Sequence, residues 1–468
     1  MRKETGMRFW VISPNVRNEG SGAWIDAIRK NHCVYMGWGP EDTDWRRGYY
    51  FHHKVKRGDI VLIARGENKS KELYFAGIVD SDVKAVTPEK DGVPDHAYAR
   101  KLKGMIGQDA LAGLGLAFEG AAFGGARRIP SIYELHPSKN PKDQKIASKL
   151  KTVVEEAVKM NEENARMKAL VTLLENNYNL ILTGAPGTGK TYLTRQLAQK
   201  LIFGDDWEPK DENNFKESER EKFEKQFGFV QFHPSYDYTD FVEGLRPKQP
   251  DANGNIGFEL TDGTFKKFCG AARKECKYKD NGKYDETSEK FVFVIDEINR
   301  GEISKIFGEL FFSIDPGYRG VAGKVLTQYA NMRAGSDDEK KFYVPENVYI
   351  IGTMNDIDRS VESFDFAMRR RFVWEEITAA ESAENMGLDD KVKQTMTDLN
   401  KAISKIDGLN LSYHIGGAYF LKLKKYDGDF NALWQYHIKP LLREYLRGMP
   451  DAEAKLDELK GAYDGAHS

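Results

Sequence analysis

The amino-acid sequence predicts an α/β fold, a parallel sheet flanked by helices, with a helical region after it and a small β-rich domain before it. Short apolar runs separated by Gly, Asn and Asp fill the first part of the chain. Strand-like runs alternate with helical stretches in the middle, and amphipathic helical spacing covers the end. We therefore expect domains at residues 1–136, 163–377 and 378–468, joined by a linking helix at 137–162.

The composition of the 468-residue chain predicts a cytoplasmic globular protein. No run approaches the roughly 20 apolar residues of a membrane span, and the charged first residues do not resemble a signal peptide. Three cysteines without a CxxC pair predict neither disulfides nor a zinc site. Residues 1–135 carry 21 Lys and Arg against 17 Asp and Glu, although the whole chain has a net charge of −2. This mild excess permits nucleic-acid contact in the first part without requiring it.

The boundaries and strands of the predicted domains can be read from the sequence in order. The runs FWVIS, CVYMGWG, DIVLIARG and LYFAGIVDSDV predict β-structure in the first domain. A polar segment with two prolines at 137–143 marks a boundary, and a helical pattern follows. The runs NLILTG, FGFVQF, FVFVID and NVYIIGTMN predict the parallel sheet, with charged, exposed insertions at 204–227 and 278–290. Residues 392–406 and 433–446 have the spacing of amphipathic helices.

The most specific motif follows the first strand of that sheet. Residues 184–191, GAPGTGKT, satisfy the pattern GxxxxGK[ST] between a strand-like and a helical run. Such a loop, called a P-loop or phosphate loop, wraps backbone N–H groups around phosphate at a helix N-terminus. The alternative is a Gly-rich turn that matches the pattern by chance. Lys190 is expected to reach the β- and γ-phosphates of a nucleotide, and Thr191 to bind Mg²⁺. The predicted nucleotide-binding residues are Gly184, Ala185, Pro186, Gly187, Thr188, Gly189, Lys190 and Thr191.

Two carboxylates directly follow the apolar run FVFVI. Asp296 is expected to hold magnesium through water, and Glu297 to polarise the attacking water. An acidic pair after a strand is by itself more often a solvated strand end. Its position about 105 residues after a P-loop favours the catalytic interpretation.

Polar and basic residues follow the last predicted strand. Asn355, at the strand tip, is expected to hold the attacking water against the γ-phosphate. Arg369, Arg370 and Arg371 suggest an arginine finger inserted into the site of a neighbouring subunit, where guanidinium offsets the charge of the transition state. A solvated surface patch is the alternative for such a triplet.

Several segments of the middle region resemble McrB-type members of the AAA+ superfamily of P-loop NTPases. DEINRG at 296–301 is similar to their Walker B segment, and MNDIDRS at 354–360 matches their MNxxDRS signature. FVQFHPSYDYTDFVEGLRP at 229–247 resembles the segment after the first P-loop helix, with Thr239 where an acidic residue is more usual. GFELTDGTFKKFC and YHIGGAYFLKL also resemble family segments, so that the resemblance covers about residues 163–447.

This resemblance implies an AAA+ core with a helical lid that hydrolyses GTP, with ATP as the alternative nucleotide. It also implies self-association into a ring, usually a hexamer, and a separate McrC-like endonuclease that the ring activates. Asn299, Arg300, Asp358 and Arg359 become parts of the active site or of the subunit interface. The chain is then the motor of a modification-dependent restriction system.

The first domain combines aromatic and basic residues. Four of the seven tryptophans lie within the first 45 residues, namely Trp10, Trp24, Trp38 and Trp45. Aromatic residues in a small β-rich domain mostly fill the core. Trp38 lies between glycines, however, and residues 45–53 mix Trp, Tyr and Phe with Arg and His, which suits a site that stacks a flipped base beside phosphates.

The order of segments in this domain resembles EVE and related PUA-like domains, a group that includes YTH-type readers. The resemblance covers about residues 7–135 and implies an α+β barrel with an aromatic-lined pocket for a modified base in double-stranded DNA. The residues that we predict to form this pocket are Ser13, Asn15, Trp24, Trp38 and Arg65.

Two other functions remain open from the sequence. One is a MoxR-type AAA+ ATPase that remodels protein complexes, with the first domain as an adaptor. The other is a motor coupled to a reader of modified RNA, because PUA-like folds often bind RNA. The segments MNDIDRS and FHPSYDYTDFVEG favour the McrB-type function over remodelling.

Overall fold

The computed structural model describes residues 7–12, 23–37, 39–40, 47–65, 70–87, 97–114, 118–119, 132–139, 141–249, 256–357 and 366–465. The chain divides into two compact units, Met1–Arg166 and Met167–Ser468. Within these ranges, no helix is both long enough and apolar enough to cross a membrane.

The first unit is built on a mixed β-sheet, in agreement with the β-rich character that the sequence predicts. Its strands are β1 Phe9–Ile12, β2 Cys33–Met36, β3 Ile60–Arg65, β4 Ser70–Val79, β5 Lys84–Ala85, β6 Tyr98–Ile106, β7 Phe118–Glu119 and β8 Ile132–Leu135. The sheet runs in the order β2-β6-β4-β3-β1-β8, with β5 paired to β6 and β7 to β4. Strand β1 is parallel to β3, and the other pairs are antiparallel. The PUA-like topology remains a prediction.

Both faces of this sheet are covered by apolar side chains. Trp10 of β1 belongs to one core cluster with Tyr35 and Phe51, whereas Val11 belongs to a second cluster on the opposite face. The buried indole N–H of Trp10 donates to Asp59 Oδ2 at 2.9 Å, which satisfies its polar group. A strand covered on both faces is apolar throughout, as FWVI is. The accompanying helices are Ala23–Asn31, Arg47–Tyr49, its π-helical continuation Tyr50–Lys54, and Gln108–Gly113.

A single long helix, Pro141–Asn177, spans the segment that the sequence assigns to a linker. Proline suits the first helical position because its missing N–H would have no partner there. Leu150 and Val154 join the second core cluster of the first unit, whereas Leu170 joins a cluster of the second unit. The predicted boundary at residues 162 and 163 therefore falls inside an uninterrupted helix, and the compact units divide at Arg166.

The second unit contains the parallel sheet. Its strands and those of two hairpins are β9 Asn179–Thr183, β10 Phe227–Gln231, β11 Glu243–Pro247, β12 Phe258–Asp262, β13 Phe291–Asp296, β14 Val325–Leu326, β15 Lys341–Phe342, β16 Val348–Thr353 and β17 Val373–Glu376. The sheet order is β10-β13-β16-β9-β17, and every pair is parallel. The four predicted strands are confirmed. The sequence did not predict β17, because its residues VWEE have no apolar run and the strand is defined by its pairing with β9.

Helices and two antiparallel hairpins surround this sheet. The hairpins are β11–β12 and β14–β15, and the helices are Lys190–Phe203, Glu217–Gln226, Tyr238–Phe241, Thr264–Lys274, Ile303–Phe307, Leu310–Ser313 and Phe366–Arg369. The charged segment 204–227 is more than an exposed insertion. Its Phe215 and Phe223 are buried in the same cluster as residues of β9. In helix Glu217–Gln226, the buried positions are Phe223 and Gln226, and the charged residues lie outside them.

The last part of the second unit is helical, as predicted. Its helices are Ala379–Asn385, Asp390–Ile403, Gly417–Leu421, Phe430–Leu433, Lys439–Tyr445 and Ala452–Gly465. They enclose one core that includes Leu399, Leu442 and Tyr463. The helix predicted at 433–446 contains a π-helical turn, Trp434–Ile438, before Pro440, which cannot donate a backbone hydrogen bond.

Candidate functional site

The glycine-rich loop at 184–191 connects the end of β9 to helix Lys190–Phe203. Lys190 is 7% exposed, and its ammonium donates to the carbonyl oxygens of Gly184 and Ala185, each at 2.9 Å. Burial lowers the pKa of Lys190 to about 8, although the carboxylates of Asp356, Glu297 and Asp296 oppose this shift. The ammonium of Lys190 is thus hydrogen-bonded to carbonyl groups of the loop itself. The oxygens of a phosphate would be stronger acceptors for it.

Three side chains meet at the carboxyl edge of the sheet, beside this loop. Thr191 donates through Oγ1 to Asp296 Oδ1 at 2.8 Å, and Thr353 donates to the same oxygen at 2.6 Å. Strands β13 and β16 are parallel neighbours, so their carboxyl ends deliver Asp296 and Thr353 to one place. A hydroxyl and a carboxylate are hard oxygen ligands of the kind that Mg²⁺ prefers, and this pair is the one predicted to hold it.

Glu297 lies one residue beyond β13 in a conformation that is uncommon for a residue with a side chain. Its φ of 52° and ψ of 45° are left-handed, and its N–H donates to Thr353 Oγ1 at 3.2 Å. Asn355 donates through Nδ2 to Glu297 Oε1 at 2.7 Å. The Glu297 carboxylate and the Asn355 amide, held side by side near the phosphate loop, can orient one water molecule between them.

The residues that the family resemblance adds lie around this pair where the structure describes them. Asn299 is buried and donates to the carbonyl oxygen of Asn355 at 3.4 Å. Arg300 is half-exposed, with Nε 3.3 Å from Glu297 Oε2. Asp358 and Arg359 lie outside the described residues.

The arginine triplet divides into two exposed residues and one buried residue. The guanidinium of Arg369 lies 5.3 Å from the ring centroid of Trp374, and the Arg370 side chain is 68% exposed. Arg371 is buried, and its Nε donates to the carbonyl oxygen of Phe311 at 2.8 Å. An interpretation of all three as finger candidates is therefore wrong for Arg371, because its own subunit surrounds its side chain. Arg369 and Arg370 keep the exposure that a finger needs.

The helical region of the second unit closes over the glycine-rich loop through backbone contacts. Gly416 N–H donates to the Pro186 carbonyl at 2.9 Å, and Ala418 N–H donates to the Gly187 carbonyl at 3.0 Å. A Cβ on Gly416 would come within 2.3 Å of the Gly187 backbone. Gly187, at φ 78°, has the ring of Tyr419 so close that a Cβ would lie 2.6 Å from it. Glycine is required at both positions for this close approach.

Some residues of the site were not identified from the sequence. Thr353 bridges Asp296 and the Glu297 backbone, and the only sequence signal for it is a threonine at a strand end. Asp356 accepts from Thr183 Oγ1 at 3.4 Å, and burial raises its pKa. Gly416 and Tyr419 lie more than 220 residues from the loop that they contact, so no local pattern predicts the pairing.

The residues predicted to form a base pocket are only partly within the described chain. Ser13, Asn15 and Trp38 lie outside the described residues. Trp24 falls in helix Ala23–Asn31 and Arg65 ends β3, but their side chains are not described. Their common location in one pocket stays a prediction.

The aromatic and basic residues within 47–54 are divided between the core and the surface. Phe51 is fully buried in the core, as expected for many aromatic residues of such a domain. Tyr49 is 41% exposed, with its ring centroid 5.0 Å from that of His53 and 5.7 Å from Lys54 Nζ. An exposed ring beside a cation is suited to stacking on a base near a phosphate.

Two protein families match consecutive parts of the second unit. The AAA domain (dynein-related subfamily) matches residues 179–372, which contain four of the five strands of the parallel sheet and end just before β17. The McrB alpha-helical lid domain matches residues 391–453, within the helical region.

Two curated relatives come from bacterial restriction systems. The chain is 36% identical over 295 residues to the type IV methyl-directed restriction enzyme EcoKMcrB subunit of Escherichia coli (strain K12), covering 59% of this chain and 56% of that protein. It is 27% identical over 223 residues to the type II restriction enzyme BsuMI component YdiS of Bacillus subtilis (strain 168), covering 42% of this chain and 56% of that protein. The chain thus spans about half the length of each relative.

A solved structure of NtrX from Brucella abortus overlaps with 68% of this chain and 75% of its own, at 12% identity and a TM-score of 0.25. The sheet order, the site geometry and the two family matches lead to one conclusion. The second unit is an AAA+ P-loop NTPase fold with a helical lid, and it is similar to McrB.

Proposed function

We propose that this chain is the GTP-hydrolysing and DNA-recognising subunit of a McrBC-type restriction endonuclease. It forms a ring, hexameric in this proposal, recognises DNA with modified bases and activates a separate McrC-like nuclease subunit. The observation that carries the proposal is the carboxyl edge of the sheet. There the phosphate loop, the Thr191–Asp296 pair and the Glu297–Asn355 pair lie together. The similarity to a methyl-directed restriction subunit supports the choice of DNA as the target.

The phosphate loop fits a nucleoside triphosphate and Mg²⁺. The buried ammonium of Lys190 has only loop oxygens as acceptors among the contacts described above, and phosphate oxygens can replace them. Thr191 and Asp296 are joined to each other by a hydrogen bond, and their oxygen atoms would be the ligands that hold Mg²⁺. When bound there, Mg²⁺ neutralises charge on the β- and γ-phosphates.

Hydrolysis in this proposal depends on residues from two subunits. Glu297 accepts a proton from the attacking water, and Asn355 holds both the water and the Glu297 carboxylate in place. Asn299 and Arg300 keep this pair oriented through the Asn355 carbonyl and the Glu297 carboxylate. Arg369 or Arg370 of the adjacent subunit offsets the charge that develops on the transferred phosphoryl group. Asp358 and Arg359 belong to the same interface by resemblance.

The nucleotide preference can be tested by measuring phosphate release from GTP and from ATP by the full-length chain. We expect GTP to be the better substrate, and we expect a McrC-like partner to increase the rate. A clear preference for ATP, with no response to such a partner, would favour a remodelling ATPase instead. The Glu297→Gln variant serves as the control for contaminating hydrolysis, because it should bind nucleotide without turnover.

The target of the first unit needs a separate binding experiment. The full-length chain is titrated with duplexes that differ in one base modification, with unmodified duplex and with RNA, all at one salt concentration because phosphate contacts depend on salt. We expect tighter binding to one modified duplex. Equal binding to all DNA would remove the specificity role from the first unit, and tighter binding to RNA would redirect the proposal to an RNA reader. Hydrolysis of GTP is independent of either result.

A further inference from the structure

The amino edge of the AAA+ sheet contains a second polar network, opposite the edge that carries the phosphate loop. Asn179, the first residue of β9, is fully buried. Its Nδ2 donates at 2.7 Å to the carbonyl oxygen of Ile314 and at 2.7 Å to that of Arg371. Its Oδ1 accepts a hydrogen bond from Arg319, which is also buried. One amide side chain therefore joins β9 to two other segments, residues 314–319 and the segment of Arg371.

Arg371 is fixed by further contacts around its own side chain. Besides the hydrogen bond to the Phe311 carbonyl, its guanidinium lies 4.4 Å from the Phe311 ring centroid. Its Nε is 3.7 Å from Asp315 Oδ2, and Arg370 Nη2 is 3.7 Å from the same oxygen. The planar guanidinium thus accounts for a hydrogen bond, a stacking contact and an ion pair at once, which an ammonium cannot reproduce.

This network connects the exposed arginines to the phosphate loop of their own subunit. Arg369 and Arg370 immediately precede Arg371, and β17 begins two residues after it and pairs with β9. Strand β9 starts at Asn179 and ends where the phosphate loop begins. The position of the exposed pair is therefore set by the strand that carries the loop.

We propose that Asn179 and Arg371 are positioning residues for the trans-acting arginine. In each subunit, they fix the arginine finger relative to β9, the strand that carries the phosphate loop, and the finger then enters the site of the adjacent subunit. This inference rests on the proposed function, in which Arg369 or Arg370 completes the site of the adjacent subunit. Arg371 is itself buried against Phe311 and Asp315, and in this inference it acts through the exposed arginines that precede it. Its loss displaces the finger and leaves the nucleotide site of the same chain complete.

Mixed rings separate a role in the neighbour's site from a role in the residue's own site. Arg371→Met subunits keep a complete site of their own, and Glu297→Gln subunits keep a complete finger. We expect Arg371→Met alone to lower kcat at least tenfold with an unchanged nucleotide Kd. An equal mixture of the two variants should recover about a quarter of the wild-type rate, because in a head-to-tail ring about a quarter of the interfaces join an active site to an intact finger.

Matched mixtures make the result decisive. A mixture of Arg369→Ala/Arg370→Ala with Glu297→Gln gives the recovered hydrolysis rate that is expected when one variant lacks the finger and the other lacks the catalytic base. A mixture of Lys190→Ala with Glu297→Gln should recover no activity, because both variants are defective in the same site. Recovery by Arg371→Met that matches the first mixture supports the positioning role. Failure to recover, when the first mixture does recover, overturns it.

Two outcomes distinguish this inference from the proposed function. If Arg369→Ala/Arg370→Ala hydrolyses GTP at the wild-type rate, the trans arginine is absent from the mechanism and both proposals lose that element. If Arg371→Met does not assemble, Arg371→Lys keeps the charge but lacks the planar fork, and it enters the same mixtures. Assembled Arg371→Lys rings with wild-type kcat contradict the positioning role directly.

Discussion

The two edges of the AAA+ sheet both carry polar networks, but they differ in exposure and in what they can exchange. At the carboxyl edge, Thr191 is exposed and Asp296 and Glu297 are half-buried, so their hydrogen bonds can be replaced by those of a nucleotide and its cation. At the amino edge, Asn179 and Arg319 are buried and hydrogen-bonded to each other, and Asn179 also holds the carbonyl oxygens of Ile314 and Arg371. In the proposed function, the groups that exchange partners during turnover lie where a ligand can reach them, whereas the groups that hold segments of the protein together are buried.

Burial also explains the different consequences for charge at the two edges. Burial lowers the pKa of Arg319 to about 10, so even this strongly basic group loses some preference for its charged form. Burial lowers the pKa of Lys190 at the opposite edge to about 8, and in the proposed function the phosphate of a bound nucleotide favours its charged form. Arg319 therefore stays desolvated, whereas in the proposed function the binding of nucleotide offsets the desolvation of Lys190.

The largest effect should come from removing the base at the carboxyl edge. Glu297→Gln keeps the hydrogen bond with Asn355 but cannot take a proton, so we expect kcat for GTP to fall by about 10²- to 10⁴-fold. Nucleotide binding and ring assembly should remain. Steady-state hydrolysis, equilibrium binding and size-exclusion chromatography measure the three properties. Turnover at the wild-type rate would remove Glu297 from the catalytic role.

At the amino edge, the expected loss is in stability. Asn179→Ala leaves two buried carbonyl groups and the Arg319 guanidinium without their amide partner, which should cost roughly 3 kcal/mol of unfolding free energy. The transition that shifts on adding nucleotide identifies the second unit in a denaturation experiment. Thr353→Ala, at the carboxyl edge, is the matched control: it should lose more activity and less stability. The reverse ranking would break the comparison between the edges.

A smaller effect is expected where the lid meets the phosphate loop. In Gly187→Ala, the new Cβ would approach the Tyr419 ring in a backbone conformation that favours glycine, so nucleotide affinity should fall about tenfold. Adding Tyr419→Ala should recover part of the affinity by removing the contact, while the backbone strain remains. Binding of a fluorescent GTP analogue measures both variants. An unaltered affinity in Gly187→Ala would show that the lid moves away from the loop when nucleotide binds.

The smallest effect is the pH dependence of nucleotide binding. Because the pKa of Lys190 is about 8 without nucleotide and phosphate favours the charged form, binding takes up a proton above this pH. The Kd should therefore increase about threefold between pH 7.5 and 8.5. Without nucleotide, the lowered pKa makes the contribution of Lys190 to stability rise between about pH 8 and 10.5, since the unfolded chain binds the extra proton there. Lys190→Arg, which does not titrate in this range, should show neither dependence.

The candidate nucleotide site was predictable in large part because its residues form short contiguous segments at the ends of strand-like runs. The eight residues of the phosphate loop, and Asp296 with Glu297, follow strand-like runs whose parallel pairing brings their ends together. Asn355 follows the same rule after β16. Residues 13, 15 and 38 of the predicted base pocket lie outside the described residues, and no period or strand end in the sequence specifies that they meet.

By itself, the sequence determined the AAA+ fold of the second unit, the glycine-rich loop at 184–191 and the carboxylates beside it, because each depends on local spacing and on the alternation of strands with helices. Only the tertiary structure decided which arginine of the triplet is buried, which glycines let the lid approach the loop, and that Asn179 ties β9 to Arg371. These contacts join residues up to 232 positions apart, as between Gly187 and Tyr419. Their burial depends on how whole elements pack, and short-range patterns carry no record of that packing.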